Sequence, residues 1–261
     1  MNKKEARINK IVLGIKQVKI QGARNIAIAA LKAYSLLPTK TTKLKLIKAR
    51  PTEPMLVNTL SYYEKLGRKK TLQHFSQAQD KINSLVLRLI KNNSIIFTHC
   101  HSTNLVNALI YAKKKGEKFQ VYNTETRPLM QGRRTAKEMQ KAGIKVTMFV
   151  DSAARQAIKK SNLVFLGADA ILPGGIVSKI GSGMFAEIAF DNKIPVYIIA
   201  DSWKYTKHIK LEERNFKEIW RNAPKHIKIK NPAFELVPKK YIKAIVSELG
   251  TLPLQKFIKK I

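Results

Sequence analysis

The chain has a single cysteine, Cys100, and its setting could make it chemically reactive. Cys100 ends the apolar run SIIFTHC (94–100), and Ser102 and Thr103 follow with the pattern of a helix start. Backbone N–H groups at a helix start lower the pKa of a nearby thiol, which favours a reactive cysteine. From the residues alone, an inert thiol that packs as a small apolar side chain is an equally good interpretation.

A carboxylate, Asp169, occupies a similar position after another apolar run. It ends LVFLGAD (163–169), and the chain continues into the glycine-rich stretch ILPGGIVSKIGSG (171–183). A carboxylate at the mouth of a sheet often has a perturbed pKa, which suits general acid or base catalysis. The alternative interpretation is an aspartate that caps the next turn.

The glycine-rich stretch is typical of a phosphate site rather than of a nucleotide cofactor site. GGIVSKIGSG (174–183) lacks the dinucleotide fingerprint, and the chain has no Walker sequence, which disfavours a dinucleotide cofactor and ATP hydrolysis. The stretch predicts a glycine-bounded helix start with Lys179 and Ser182, which could hold a phosphate. His99 and His101 flank Cys100, but no further Cys or His cluster completes a metal site. We therefore expect neither a cofactor nor a metal ion.

Five short β-rich runs alternate with helix-like segments after Asn93. The runs are SIIFTHC (94–100), KFQVYNTE (118–125), KVTMFVD (145–151), LVFLGAD (163–169) and VYIIAD (196–201). The segments between them are long enough for right-handed crossovers, which predicts a doubly wound, mainly parallel α/β sheet. Such sheets bind ligands at the carboxyl ends of their strands. In this chain those ends hold Cys100, Glu125, Asp151, Asp169 and Asp201.

The first ninety residues have helical patterning instead. Apolar residues recur at helical spacing over residues 8–34 and again up to about residue 89. Gly22 interrupts the pattern, and a helix start there could bind phosphate, although a plain turn between two helices is the simpler interpretation. The prolines of ARPTEPM (49–55) end another helix and present Arg50 from an extended loop.

This change of pattern predicts two domains. We expect an N-terminal helical domain over residues 1–92 and a Rossmann-like α/β catalytic domain over residues 93–261. The apolar runs are too short to cross a bilayer, and the N-terminal residues lack the apolar core of a signal peptide. We therefore expect a cytoplasmic protein without a membrane partner.

The net charge of +33, from 50 basic and 17 acidic residues, favours polyanionic partners such as nucleic acid or phosphorylated metabolites. The excess is not in the predicted sheet, because residues 161–203 contain two basic and four acidic residues. The basic clusters lack interleaved aromatic residues, and no zinc-finger or RNP pattern is present. We expect a solvated lysine-rich surface that binds nucleic acid only non-specifically.

Nine sequence blocks together resemble one known family. They are GA (22–23), RPT (50–52), THCHS (98–102), TETRPLMQGRRTAKEM (124–139), VDSAAR (150–155), GAD (167–169), SKIGS (178–182), ADSWKY (200–205) and NPAFELVP (231–238). Their order and spacing are similar to those of archaeal ribose-1,5-bisphosphate isomerases over almost the whole chain. The same superfamily contains methylthioribose-1-phosphate isomerases and the α, β and δ regulatory subunits of initiation factor 2B.

The resemblance implies an aldose-ketose isomerase, an intramolecular oxidoreductase that converts α-D-ribose 1,5-bisphosphate to D-ribulose 1,5-bisphosphate in nucleotide salvage. It places the catalytic groups on Cys100 and Asp169. It also implies a set of contacts with the phosphorylated sugar: Gly22, Ala23, Arg50, Ser102, Arg127, Ser178, Lys179 and Lys204. Family members form dimers or trimers of dimers through the α/β half, so we expect a homo-oligomer.

Two departures from the family pattern keep alternatives open. Ser178 stands where the family usually has an asparagine that fixes a sugar hydroxyl, and Gln21 stands where an arginine often precedes GA. The chain could therefore be a methylthioribose-1-phosphate isomerase. It could also be a non-catalytic regulatory protein that binds a phosphosugar or a nucleotide. The presence of both Cys100 and Asp169 favours an enzyme.

Overall fold

The N-terminal region is helical, as the sequence predicts. The structure is a computed structural model that describes residues 2–211 and 213–261. Its first four helices are α1 (Lys3–Lys16), α2 (Ala23–Tyr34), α3 (Lys40–Ala49) and α4 (Pro54–Leu87). Asn2 and Glu5 form a capping box at the start of α1, and Thr39 caps α3 through its side chain. Pro54 lies in the first turn of α4, where its missing N–H costs no hydrogen bond.

A seven-stranded, mainly parallel sheet with flanking helices follows, so the predicted fold class is confirmed. The five predicted runs form β1 (Ser94–Thr98), β2 (Phe119–Thr124), β3 (Lys145–Phe149), β4 (Leu163–Leu166) and β7 (Val196–Ile199). The helices beside them are α5 (Thr103–Lys114), α6 (Gln131–Lys141), α7 (Ala154–Lys159) and α8 (Ser182–Asp191). Each strand is shorter than its sequence run, because the last residues of the run lie in the loop that follows the strand.

Five further strands were not predicted from the sequence. β5 (Ala170–Leu172), β6 (Gly175–Lys179) and β8 (Phe234–Pro238) form a second, antiparallel sheet. β9 (Ala244–Ser247) and β10 (Gly250–Leu252) extend the main sheet, and a short helix, α9 (Leu254–Ile258), ends the fold. The predicted glycine-bounded helix start is that of α8, which begins at Ser182 after Gly181, whereas Lys179 ends β6 and pairs with Phe234.

The strand order of the main sheet determines where a ligand can enter. The order is β10-β9-β7-β4-β1-β2-β3, and the strands from β9 to β3 are parallel. The chain moves from β1 to one side through β2 and β3, and then returns to β4 and moves to the other side. Their connections therefore diverge at the carboxyl ends of β1 and β4, which leaves a crevice there. Cys100 follows β1 and Asp169 follows β4.

Buried apolar residues join the helical region to the sheet. One cluster holds α1 to α4 together through Ile15, Leu46 and Leu60, each of which is fully buried. The end of α4 belongs to a different cluster, in which Ile82 and Val86 pack with sheet residues and with α5. The helical region therefore covers the crevice at one end and one face of the sheet at the other.

No helix among the described residues has the length and apolarity of a membrane span.

Candidate active site

A cleft opens at the crevice between β1 and β4. Its walls come from the start of α2, the loop before α4, and the carboxyl ends of β1, β4 and β6. Nine of the ten residues predicted from the sequence line it: Gly22, Ala23, Arg50, Cys100, Ser102, Asp169, Ser178, Lys179 and Lys204. Residues that lie up to 182 positions apart in the chain, Gly22 and Lys204, thus meet in one cavity.

The backbone holds Cys100 in an unusual conformation at the base of this cleft. Its φ angle is 65°, in the left-handed region that a non-glycine residue adopts only when its surroundings fix it. The Cys100 N–H donates to Thr126 Oγ1 at 2.9 Å, and its carbonyl accepts from Thr135 Oγ1 at 2.8 Å. The two threonines come from the TETRP block and from α6, so the neighbouring strand connection fixes the direction of the thiol.

The thiol of Cys100 is a weak acid in this site. Burial raises its pKa to about 12, and the negative charge of Asp169 adds to the shift. A backbone hydrogen bond from His101 and the charge of Lys179 act in the opposite direction, but they are outweighed. The expectation that a helix start lowers the pKa of this thiol is therefore wrong, because desolvation dominates. Cys100 carries its proton at neutral pH.

Asp169 is held at the first residue after the GA pair of the GAD block. Its N–H donates to the Val177 carbonyl at 2.8 Å, which joins it to β6, and its side chain is half-buried at the cleft wall. A Cβ at Gly167 would lie 2.6 Å from the Ser102 Cβ, so only glycine allows the β1 and β4 ends to approach this closely. Ser178 supports the same turn, since its hydroxyl donates to the Gly167 carbonyl at 2.9 Å.

Two helix N-termini meet at the cleft. Gly22 precedes α2 with φ 84°, a conformation that favours glycine, and Ser102 precedes α5; neither residue caps its helix through a side chain. Gly22, Ala23, Ser102 and Thr103 all line the cavity. Free N–H groups at a helix start and the positive end of the helix dipole both favour an anion. The cleft therefore offers N–H groups from two helix starts for binding phosphate.

The charged side chains of the cleft are mostly positive. Among the described residues, six cationic side chains line it, against two carboxylates, Glu53 and Asp169. The six are Arg24, Arg50, Arg134, Lys179, Lys204 and Arg214. Lys179 and Lys204 are only 5% and 6% exposed, and Lys204 Nζ donates to the Ala168 carbonyl at 2.6 Å. Buried lysines beside a cavity are costly without a counter-ion, so this lining favours a multiply charged anion.

Comparison with known proteins agrees with this geometry. The family described as "Initiation factor 2 subunit family" matches residues 61–254. A relative named ribose 1,5-bisphosphate isomerase, from Methanocaldococcus jannaschii, is 36% identical, and the alignment covers 92% of this chain and 90% of the relative.

The chain belongs to the initiation factor 2 subunit family.

Other members of the family are similar over comparable lengths. A methylthioribose-1-phosphate isomerase from Fervidobacterium nodosum is 31% identical over 96% of this chain and 88% of its own. A solved structure of the translation initiation factor eIF-2B from Pyrococcus horikoshii superposes with a TM-score of 0.84, at 25% identity, and covers 95% of this chain and 97% of its own. The family thus contains both isomerases and translation factors with this fold.

Arg127 is the one predicted site residue that does not line the cleft. Its side chain is exposed, and its guanidinium donates to the Ile219 carbonyl at 3.4 Å. Its N–H and that of Thr126 donate to the Asp151 carboxylate at 2.6 and 2.8 Å. Asp151 thus fixes the TETRP loop, which in turn positions Cys100, and Arg127 contributes through its backbone rather than through its charge.

The other acidic residues at strand ends also face away from the cleft. Glu125 binds Arg133 at 3.2 Å, and Asp201 accepts a hydrogen bond from His74 of α4 at 3.0 Å. His74, Asp201 and Glu248 bring one possible ligand atom each within 4.8 Å of one another, a spacing that could hold a metal ion. The predicted convergence of all five strand ends is therefore restricted to Cys100 and Asp169.

His99 is excluded as a catalytic base by its hydrogen bonds. Burial lowers its pKa to about 4, so the imidazole is neutral. Its Nε2 lies 3.0 Å from the Ile180 carbonyl and can only donate to it, which leaves Nδ1 as the acceptor of the Thr124 hydroxyl at 2.5 Å. Both ring nitrogens are occupied, and His99 serves to join β1, β2 and the loop before α8.

Sequence reasoning missed several residues of the cleft. Glu53, Arg24, Gln131, Arg134 and Arg214 all line it. Glu53 carried a usable signal, because it directly follows the RPT block and therefore lies three residues after Arg50 in the same loop. Arg214 carried none, since it lies in an irregular segment that reaches the cleft only through the tertiary fold.

Proposed function

We propose that the protein is an aldose-ketose isomerase that converts α-D-ribose 1,5-bisphosphate to D-ribulose 1,5-bisphosphate, with Cys100 and Asp169 as its catalytic pair. One observation carries this proposal: a thiol and a carboxylate face one cleft at the sheet's crevice, between two helix N-termini and six cationic side chains. The relative from Methanocaldococcus jannaschii that bears the name ribose 1,5-bisphosphate isomerase supports it. The same activity would belong to nucleotide salvage.

The excess of positive charge in the cleft favours a bisphosphate over methylthioribose 1-phosphate. The helix starts at Gly22 and at Ser102 both offer N–H groups to phosphate. A monophosphate substrate would leave more of the charge of the six cationic side chains without a counter-ion. Arg50, Lys179 and Lys204 would contact the phosphates or the sugar.

The catalytic pair has to move protons in both directions. One group protonates the ring oxygen as the bond from C1 to that oxygen breaks, and the other removes the proton from C2, which leaves an enediol-like intermediate. A proton then returns to C1 while the C2 hydroxyl loses its own, and the ketone forms. Because a negative charge on either group disfavours one on the other, Cys100 and Asp169 carry one proton between them. Such a pair can both give and accept a proton.

Purified protein incubated with α-ribose 1,5-bisphosphate tests this proposal. We expect ribulose 1,5-bisphosphate to form, with kcat/KM at least tenfold above the value for methylthioribose 1-phosphate, since the second phosphate adds charge-assisted hydrogen bonds. Deuterium from solvent should appear at C1 of the product. The complete absence of deuterium would replace the enediol-like step by a hydride shift. Tight sugar-phosphate binding without turnover of either substrate would favour the non-catalytic alternative.

We also propose a homo-oligomer, cytoplasmic in location, in which the edge of the main sheet joins the subunits. β3 is an edge strand, and Met148 and Val150 beside it are 40% and 54% exposed. Exposed apolar residues at an edge strand are typical of an interface. Sedimentation should give a mass above 29.6 kDa for the wild type, and Val150→Lys should lower it. A monomeric wild type would reject this part of the proposal.

The boundary near residue 92 is proposed as the division between a helical domain and a catalytic α/β domain. It lies between α4 and β1, and the cluster around Leu46 belongs to the helical part alone. Because Ile82 and Val86 pack on the sheet, a fragment of residues 93–261 would expose apolar surface. We expect that fragment to aggregate, whereas a fragment that begins before α4's second half should remain folded.

Nucleic acid should bind only non-specifically, with an affinity that falls steeply with salt.

A further inference from the structure

Glu53 is a buried carboxyl group of the cleft for which the proposed reaction has no assigned use. It is 4% exposed and lies at the start of α4, between the RPT block and Pro54. Its Oε1 is buried and has no hydrogen-bond partner among the described residues. A buried, unpaired carboxyl oxygen is unfavourable unless it is protonated or meets a ligand, so its position in a cavity wall points to a ligand.

The charges around Glu53 come from three separate elements. Asp169 after β4 is close enough to raise the pKa of Glu53, whereas Lys204 after β7 and Arg50 before α4 lower it. Burial has the largest effect, and together with Asp169 it raises the pKa of Glu53 to about 8. Two carboxyl groups that share a poorly solvated site do not both ionise readily, and Asp169 is the one that takes part in the proposed proton transfer.

Other orphaned polar atoms face the same cavity. Ser102 Oγ and Gln131 Oε1 are also buried without a hydrogen-bond partner in the described part of the chain. Together with Glu53 they line the same cavity as the two helix N-termini. A ligand that carries several hydroxyl groups as well as phosphates would satisfy all three atoms, as a sugar phosphate does.

We infer that Glu53 is a substrate-binding residue that meets the sugar phosphate as a neutral carboxylic acid and donates a hydrogen bond to it. This inference rests on the proposed isomerase function and adds a residue to its site. The neutral form has two advantages. It leaves Asp169 free of a second negative charge, and it does not repel the phosphates. A bound bisphosphate brings more negative charge and therefore strengthens the protonation of Glu53.

The pH dependence of substrate affinity tests the role of Glu53. For the wild type, KM should rise about tenfold per pH unit above about pH 8, as Glu53 ionises and repels the substrate. Glu53→Gln keeps a hydrogen-bond donor of the same shape and cannot ionise, so its KM should match that of the wild type at neutral pH and lack this alkaline rise. Glu53→Ala removes the donor and should raise KM about tenfold at neutral pH, with kcat changed much less.

Asp191→Asn is the matched control, because Asp191 is an exposed carboxylate at the far end of α8. It should retain the wild-type profile. If Glu53→Gln keeps the alkaline rise in KM, or if Glu53→Ala leaves KM unchanged, the inference is wrong.

A measurement without turnover separates this inference from the proposed function. A carboxyl whose pKa is raised by folding stabilises the protein below its unfolded pKa, and this contribution is lost as pH rises towards about 8. The Tm of the wild type should therefore fall relative to Glu53→Gln between acidic and mildly alkaline pH. Inorganic phosphate should also bind the wild type progressively less well than Glu53→Gln above about pH 8. An absence of turnover with these differences present would reject the isomerase alone, and identical pH profiles would reject the neutral Glu53.

Discussion

Two clusters of ionisable residues in this molecule look similar by composition and differ in how they are satisfied. The first consists of Cys100, Asp169 and Glu53 in the cleft, and the second consists of His74, Asp201 and Glu248 between α4 and the sheet. Each contains a glutamate whose pKa is raised by desolvation and by a neighbouring aspartate. A perturbed pKa alone therefore does not identify the active site.

Hydrogen bonding separates the two clusters. In the second cluster, which we call the outer cluster, Asp201 accepts hydrogen bonds from His74 and from the N–H of Trp203. Glu248 accepts one from the N–H of Ser202. His74 also stacks on Trp203 with ring centroids 3.6 Å apart. In the cleft, by contrast, several buried polar atoms have no hydrogen-bond partner within residues 2–211 and 213–261, and cationic side chains are in excess. The polar groups of the outer cluster bond to one another and to the neighbouring backbone, which connects α4 to the sheet. The polar and charged groups of the cleft need an anionic ligand to be satisfied.

The largest expected effect is the loss of catalysis when either member of the pair is replaced. Cys100→Ser and Asp169→Asn should each lower kcat by about 10²- to 10⁴-fold, the usual contribution of a general acid or base. Steady-state turnover of α-ribose 1,5-bisphosphate measures this effect. Circular dichroism should show an unchanged fold, because both replacements preserve shape. Full activity in both variants would reject the site assignment and leave the proposed reaction standing.

The reactivity of Cys100 tests whether desolvation or the helix dipole has the larger effect on the pKa of its thiol. With a pKa of about 12, Cys100 has about 10³-fold less thiolate at neutral pH than a thiol at the reference value of 9.0. A thiolate with a higher pKa is intrinsically more nucleophilic, which offsets part of this difference in thiolate fraction. Alkylation of Cys100 by iodoacetamide should therefore be about 50-fold slower than in the urea-unfolded chain. Asp169→Asn removes a charge that raises this pKa and should speed alkylation several-fold. A native thiol that reacts faster than the unfolded one would restore the dipole interpretation.

The buried lysines test whether the cleft is an anion site. Lys204→Met removes the charge and keeps most of the aliphatic side chain, so KM should rise about tenfold, the equivalent of one charge-assisted hydrogen bond of about 1.4 kcal/mol. Lys160→Met is the control, because Lys160 is exposed at the end of α7. Competition by inorganic phosphate should weaken in Lys204→Met alone. Equal effects of the two substitutions would mean that the general charge of +33 attracts the substrate.

Local sequence patterns predicted the parts of this site that depend on one segment at a time. The apolar runs located the five parallel strands, and the topology rule for such sheets then placed Cys100 and Asp169 at one edge. The β6 strand was missed because its glycine-bounded sequence has the pattern of a helix start, and only pairing with β8 decides between the two. The prediction of a lowered pKa for the Cys100 thiol was wrong for a related reason. A helix start is visible in sequence, whereas the burial of the thiol and its nearness to Asp169 arise from residues far apart in the chain.

The smallest effect on activity is expected in the outer cluster, and it concerns the position of Lys204. Asp201 and His74 anchor the segment that carries Trp203 and Lys204, and Asn58 of α4 donates to the carbonyls of Trp203 and Tyr205. Asp201→Asn weakens the bond to His74 and should lower the free energy of unfolding by about 1–3 kcal/mol, measured by urea denaturation. The kcat should stay within about threefold of the wild type, because no atom of this cluster lines the cleft, and KM should rise only slightly as Lys204 loses part of its support. A loss of kcat comparable with that of Asp169→Asn would mean that the two clusters act as one catalytic unit, and the distinction by hydrogen bonding would fail.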